Sequence, residues 1–168
     1  MKFEPTFNYG DTDLTLDHNL ICWKFGELIT NLITLSSDAK RQAEIIGIGA
    51  TCDEMAEDFH RYFMQSYHSF LDNNLLTTTQ VDKLIELNTF FDERSGDRSP
   101  DFWDDFTLET NPEWEIVRRK ALDVLESLGM QDLIVEFDRE EEYKITPKGK
   151  QITMQSTKTR LVYPKVDL

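Results

Sequence analysis

Three histidines, His18, His60 and His68, are the only side chains in this 168-residue chain whose ordinary pKa lies near neutrality. Glu57-Asp58-Phe59-His60 contains one Glu-x-x-His unit, the spacing with which helical bundles hold a di-iron centre. That chemistry takes two such units and two further inward carboxylates. The second unit is missing, because Gln65 stands three residues before His68 and Thr15 three before His18. His60 and His68 also lie about 80° apart on one helix, eight steps of roughly 100° each. Asp104-Asp105 and Glu140-Glu141-Glu142 hold oxygens that suit Ca²⁺ or Mg²⁺, but no alternating Asp-x-Asp-x-Asp-Gly spacing converges them on one point. The seven glycines are scattered and none precedes a Lys-Ser/Thr pair, which removes the phosphate-cradling loop. Cys22 and Cys52 are too few for a disulfide framework or a structural zinc site, and read as reduced thiols buried in different helices. The expectation is a protein without catalytic residues, metal or cofactor. An acidic metal-dependent enzyme is the alternative that metal titration separates.

The segment from Asp92 to Glu115 is the most distinctive in the chain. It holds nine acids against Arg94 and Arg98, with Phe102, Trp103, Phe106 and Trp114 interleaved. Aromatic anchors ringed by carboxylates suit a basic protein surface, the rings giving desolvated contact and the acids steering. Asp97, Asp101, Trp103, Asp104, Asp105 and Glu109 are the expected contact residues. Trp103 and Phe106 have two readings, as interface anchors or as plugs for the core beneath the loop.

Charge supports a basic partner. The net charge is −14, and residues 143–168 hold six basic side chains against one acid. Residues 1–142 therefore carry 12 basic and 31 acidic residues, a charge of −19. Such a body repels nucleic-acid phosphates and anionic lipid. Hydrophobic residues at 39% and aromatic residues at 11% are enough to build a core in spite of that charge. The N-terminus Met1-Lys2-Phe3-Glu4-Pro5 lacks the basic flank and apolar run of a signal peptide. Leu28 to Leu35 is too short and too interrupted to span a bilayer. A cytoplasmic protein that binds neither nucleic acid nor membrane is expected, with a homodimer left open.

These residues are positioned by a helical pattern followed by a strand pattern. Leu16, Leu20, Trp23, Leu28, Leu32 and Leu35 return at helical spacing from about Asp13 or Asp17, and Ser36-Ser37-Asp38 restarts the chain into a short helix to Ile46. Thr51-Cys52-Asp53-Glu54 and Thr77-Thr78-Thr79-Gln80 match capping boxes. They open helices to about Leu71 and through Phe91. Asn111-Pro112 opens a fifth helix, closed by Gly129. Phe59, Phe63, Trp114, Val117, Ala121 and Leu128 are expected to meet in the core. Beyond Gly129 the period becomes two, which predicts a hairpin turning at Asp138-Arg139-Glu140-Glu141, with Ile152 to Val162 as a third strand. The expected fold is mainly α (α+β), a single domain over 1–168. Residues 13–129 form a helical part of about five helices, and 130–168 a C-terminal β-hairpin or small antiparallel sheet with a basic tail.

Two resemblances follow from particular stretches. Ile46-Gly47-Ile48-Gly49-Ala50, Asp53-Glu54-Met55-Ala56-Glu57-Asp58-Phe59, Phe90-Phe91-Asp92-Glu93-Arg94-Ser95-Gly96, Asp101-Phe102-Trp103-Asp104-Asp105 and Asn111-Pro112-Glu113-Trp114 together resemble the small acidic immunity proteins of polymorphic-toxin and contact-dependent growth-inhibition systems. The resemblance covers about residues 45–130 and is one of texture. It implies a non-enzymatic inhibitor that seals the basic active-site region of a cognate toxin domain, often a nuclease. Leu125-Glu126-Ser127-Leu128-Gly129-Met130 and Tyr143-Lys144-Ile145-Thr146-Pro147-Lys148-Gly149-Lys150 resemble the end of a winged-helix domain. That implies a regulator whose recognition helix is Glu113–Leu128. Its wing tip would be the carboxylates of residues 138–142, which DNA phosphates repel.

Overall fold

A computed structural model describes residues 2–165 of the chain. Its helices are α1 (Asp17–Ser36), α2 (Ala39–Ile46), α3 (Thr51–Phe59), α4 (Tyr67–Asp72), α5 (Thr78–Asp92) and α6 (Pro112–Leu128), and a two-stranded antiparallel hairpin follows. The fold is mainly α with a C-terminal hairpin, as the change of period predicts. Local side-chain caps start three of the six helices, α2, α5 and α6. Asp38 accepts a hydrogen bond from the Arg41 amide at 2.8 Å and starts α2. Thr77 and Gln80 cap each other's backbone at the start of α5. Asn111 accepts from the Glu113 amide at 2.9 Å with Pro112 behind it, and Gly129 ends α6 in the left-handed conformation at φ +70°.

α1 and α6 are the central pair of the fold. Phe25, Leu28, Ile29, Leu32 and Leu35 of α1 share one apolar cluster with Trp114, Val117, Ala121 and Val124 of α6. That cluster also takes in Phe59, Phe63 and Phe70, together with Leu133, Val135 and Leu161 from the base of the hairpin. Of the expected core residues only Leu128 is half-buried; the other five are fully enclosed. The start of α1 departs from its pattern. Leu16 is 55% exposed and precedes the helix, and Cys22, Phe25 and Ile29 form the inward stripe there.

The expected single helix from Thr51 to Leu71 is interrupted. A π-helical turn over His60–Met64 and a break at Ser66 separate α3 from α4. The wider turn shifts the register of the buried stripe: Phe59 stacks on Phe63 at 5.3 Å, and Phe70 reaches Phe25 edge-on at 5.2 Å. Periodicity of 3.6 has no signal for such an insertion.

The hairpin is longer and simpler than expected. β1 (Ile134–Thr146) and β2 (Gly149–Val162) pair from Ile134↔Val162 to Thr146↔Gly149, with one register shift at Glu142/Tyr143. Asp138 to Glu141 therefore lies mid-strand, the turn falls at Pro147-Lys148, and Ile152 to Val162 belongs to β2 instead of a third strand. Cross-strand charge explains the correction. Asp138 faces Lys158, and Arg160 reaches both Glu136 at 3.1 Å and Asp138 at 2.8 Å. Of the basic residues of the tail, Lys158 and Arg160 face acids across the strands, whereas Lys144 lies opposite Gln151 and Lys150 opposite Ile145, over the Tyr143 ring. The hairpin base is fastened to α2: Arg139 donates to the Glu44 and Ile45 carbonyls, Arg41 to the Val135 carbonyl, and the Ile48 amide to Gln155. Among the described residues no helix is long and apolar enough to cross a membrane.

Candidate binding face

The acid-rich connection between α5 and α6 is pinned at several points. Phe102 is buried and stacks flat on Trp114, ring centroids 4.5 Å apart, while the Trp114 Nε1 donates to the Phe102 carbonyl at 2.7 Å. Trp103 is half-buried against Phe91 and Phe102, and its Nε1 donates to the Arg94 carbonyl at 2.5 Å. Arg94 lies 3.5 Å over the Phe90 ring and pairs with Glu113 at 3.1 Å. At the far end, buried Arg118 of α6 holds the Leu108 carbonyl at 2.9 Å, and also bonds Gln42 and the Ser37 carbonyl. The Thr107 hydroxyl donates to the carbonyls of Asp101 and Asp104. Long side chains that usually face solvent are here internal braces.

Against that rigid background the expected contact residues separate into groups. Asp97, on the short turn Gly96–Arg98, and Asp101 and Asp104 are exposed. Asp104 also accepts from the Phe106 amide at 3.0 Å and so shapes the turn that follows. Phe106 is 96% exposed at the tip of that turn. The two aromatic readings therefore divide: Trp103 is held in the packing beneath the loop, and Phe106 stands in solvent. Glu109 lies apart, beside Asp38, Glu115, Arg118 and Arg119.

Asp105 has a bond partner that the sequence does not announce. Its two carboxylate oxygens accept the backbone amides of Thr51 and Cys52 at 3.0 and 2.9 Å. The expected Thr51 capping box is absent. Ala50 occupies the cap position without a side-chain bond, Thr51 is buried, and Asp105 supplies the missing acceptor from another segment. A helix N-terminus also favours an anion electrostatically.

This contact brings α3 to the edge of the loop. An open cleft of about 650 Å³ runs between them, lined by Asp53, Glu57, His60, Asn88, Asp92 and Trp103 among others. Burial, and then the charges of Asp105 and Glu57, raise the Asp53 carboxyl above its ordinary value. Burial, helped by Asp105, raises the Cys52 thiol far enough to keep it protonated and unreactive. Asp53 and Glu57 extend the acidic face beyond the residues expected from sequence. Their i, i+4 spacing on α3 was the available signal, and the capping-box and Glu-x-x-His patterns obscured it. Glu57 and His60 both line the cleft, but among the described residues no group of three or more His, Cys, Asp or Glu is placed to hold a metal ion. Comparison with protein-family models, curated proteins and solved structures finds no match to this chain.

Proposed function

We propose that the protein is a non-catalytic binding protein that docks its 97–106 loop onto a basic protein surface, as an immunity protein covering the active-site region of a toxin, such as a nuclease, in the cytoplasm. The observation that carries this reading is Phe106, 96% exposed on a braced loop that also carries Asp101, Asp104 and Asp105. An exposed aromatic on a rigid support loses little conformational entropy on binding, and surrounding carboxylates steer a cationic partner onto it. The neighbouring cleft adds Asp53, Glu57 and Asp92 to the same negative field.

The regulator reading has less support. Arg118, one of three basic residues on the would-be recognition helix, is committed to internal carbonyls, and exposed Glu115, Asp123 and Glu126 accompany Arg119 on the outer face. The decisive experiment uses the toxin domain encoded by the adjacent reading frame. Phe106→Ala should speed dissociation about tenfold or more, as loss of a central aromatic anchor does. Asp97→Asn with Asp101→Asn and Asp104→Asn should slow association at low salt and much less at high salt. Unchanged rates in both variants would place the binding face elsewhere.

A further inference from the structure

A second cavity, of about 210 Å³, lies on the opposite side of α3, closed by α1, the end of α2 and strand β2. The four acids of α3 divide between the two hollows: Asp53 and Glu57 line the open cleft, and Glu54 and Asp58 line this one. Glu27 of α1, Tyr62 of the π-helical turn and Thr157 of β2 complete the polar wall. Glu27 is half-buried and has no ion-pair partner among the described residues. Asn31, only 6% exposed, also lines the cavity. Its Nδ2 donates to the Met55 carbonyl at 3.0 Å, which leaves Oδ1 buried without a hydrogen-bond partner. A buried acceptor without a donor is costly and calls for one.

The lining is rich in acceptors and carries more negative than positive charge. Two cations border it. Arg61 lies 3.3 Å from Asp58, and Arg139 donates to Thr157 and to the carbonyls of Glu44 and Ile45. The carboxylates do not converge as a metal ion would require. The volume is below the roughly 300–1,000 Å³ of sites that enclose whole small molecules, so it suits a terminal group. A planar guanidinium carries five N–H donors in a fixed fork and reaches separated acceptors that a point-like ammonium cannot reach together. We propose that this cavity binds a guanidinium group, held between the carboxylates of Glu27 and Asp58 with the Asn31 Oδ1 as a further acceptor.

Burial, and then the charge of Asp58, pushes the Glu27 carboxyl up to about 7. Entry of a cation favours its ionised form, so binding releases a proton and tightens from pH 6 to pH 8. Glu54, Asp58, Arg61, Tyr62 and Arg139 are the other titratable or charged groups around it, and burial raises the Glu54 and Asp58 carboxyls as well.

The test is an NMR titration of the full chain with methylguanidinium chloride, with methylammonium and Mg²⁺ as controls. Saturable shifts at the Asn31 side-chain amide, several-fold tighter at pH 8 than at pH 6, are expected. Glu27→Gln should weaken binding at least fivefold, and Asp101→Asn should leave it unchanged. The Gln variant removes a buried charge, so it should fold, and Asp58→Asn gives an independent check. Titration with arginine and with the tripeptide Gly-Arg-Gly separates a free ligand from an arginine on a protein, and saturable binding of either supports the site. Non-saturable shifts spread over the surface acids, an equal response to methylammonium or Mg²⁺, or an unaffected Gln variant would overturn it. None of these readouts depends on the 97–106 loop binding a toxin.

Discussion

The carboxylate of Asp105 lies 2.9 Å from the amide nitrogen of Cys52, a contact between residues 53 positions apart that joins the acidic loop to the start of α3. Asp105→Ala should therefore lower stability by roughly 1–2 kcal/mol, the ordinary effect of losing a helix cap. Urea unfolding of the variant, with an unchanged slope and a lower midpoint, checks this. A neutral result would mean that water satisfies the two amides equally well.

Trp103 and Phe106 are three residues apart and should behave in opposite ways in the free protein. Trp103→Ala removes a ring packed on Phe91 and Phe102 and the Nε1 bond to the Arg94 carbonyl. It should cost about 2–4 kcal/mol. Phe106→Ala should stay within about 0.5 kcal/mol, as for other exposed positions. Thermal melts of the two variants side by side decide the matter. Equal destabilisation would show that Phe106 is also packed.

Glu27 should make stability depend on pH. Its folded carboxyl is raised from 4.5 to about 7, so the unfolded chain ionises first as pH rises. Between those values the folded state holds the extra proton and loses stability with increasing pH, and above about 7 the loss is complete. Its size is on the order of 3 kcal/mol. Glu27→Gln should flatten this slope and leave the protein more stable than wild type at pH 8, as chemical unfolding at pH 5 and pH 8 will show. A variant as pH-sensitive as wild type would remove Glu27 as the cause.

Duplex DNA should bind no tighter than ~10⁻⁵ M near physiological salt, within the non-specific range. The outer face of α6 carries Glu115, Asp123 and Glu126, and Lys158 and Arg160 of β2 face acids across the hairpin. Fluorescence anisotropy is sufficient. Sub-micromolar, sequence-selective binding would restore the regulator reading.

Helix type, the Thr77–Gln80 cap, the Asn111-Pro112 start and the Gly129 stop were legible because each rests on residues within one turn of one another. What was not legible depends on distant segments. Nothing near Thr51 indicates that its amide is capped by Asp105, and nothing in a 3.6-residue period marks the π-helical turn at His60–Met64. The run Asp138 to Glu141 reads as a turn because it is polar, although Lys158 and Arg160 across the strand pair let it continue extended. The acidic face was visible as composition, but its continuation to Asp53 and Glu57 required the fold.

The hairpin has one more consequence, for how the molecule opens. Val135 and Leu161 are buried at its base, whereas Tyr143, Ile145 and Met154 near the turn are exposed, and the register shift at Glu142/Tyr143 separates the two regions. A two-stranded ribbon without a covered face is marginally stable in water. Amide protons beyond the shift should therefore exchange by local fraying at a small fraction of the global unfolding free energy, while those of Val135 and Leu161 wait for the helical core to open. The ribbon is two units of stability in one continuous element, and a protease that nicks Pro147-Lys148 would find the rest of the molecule still folded.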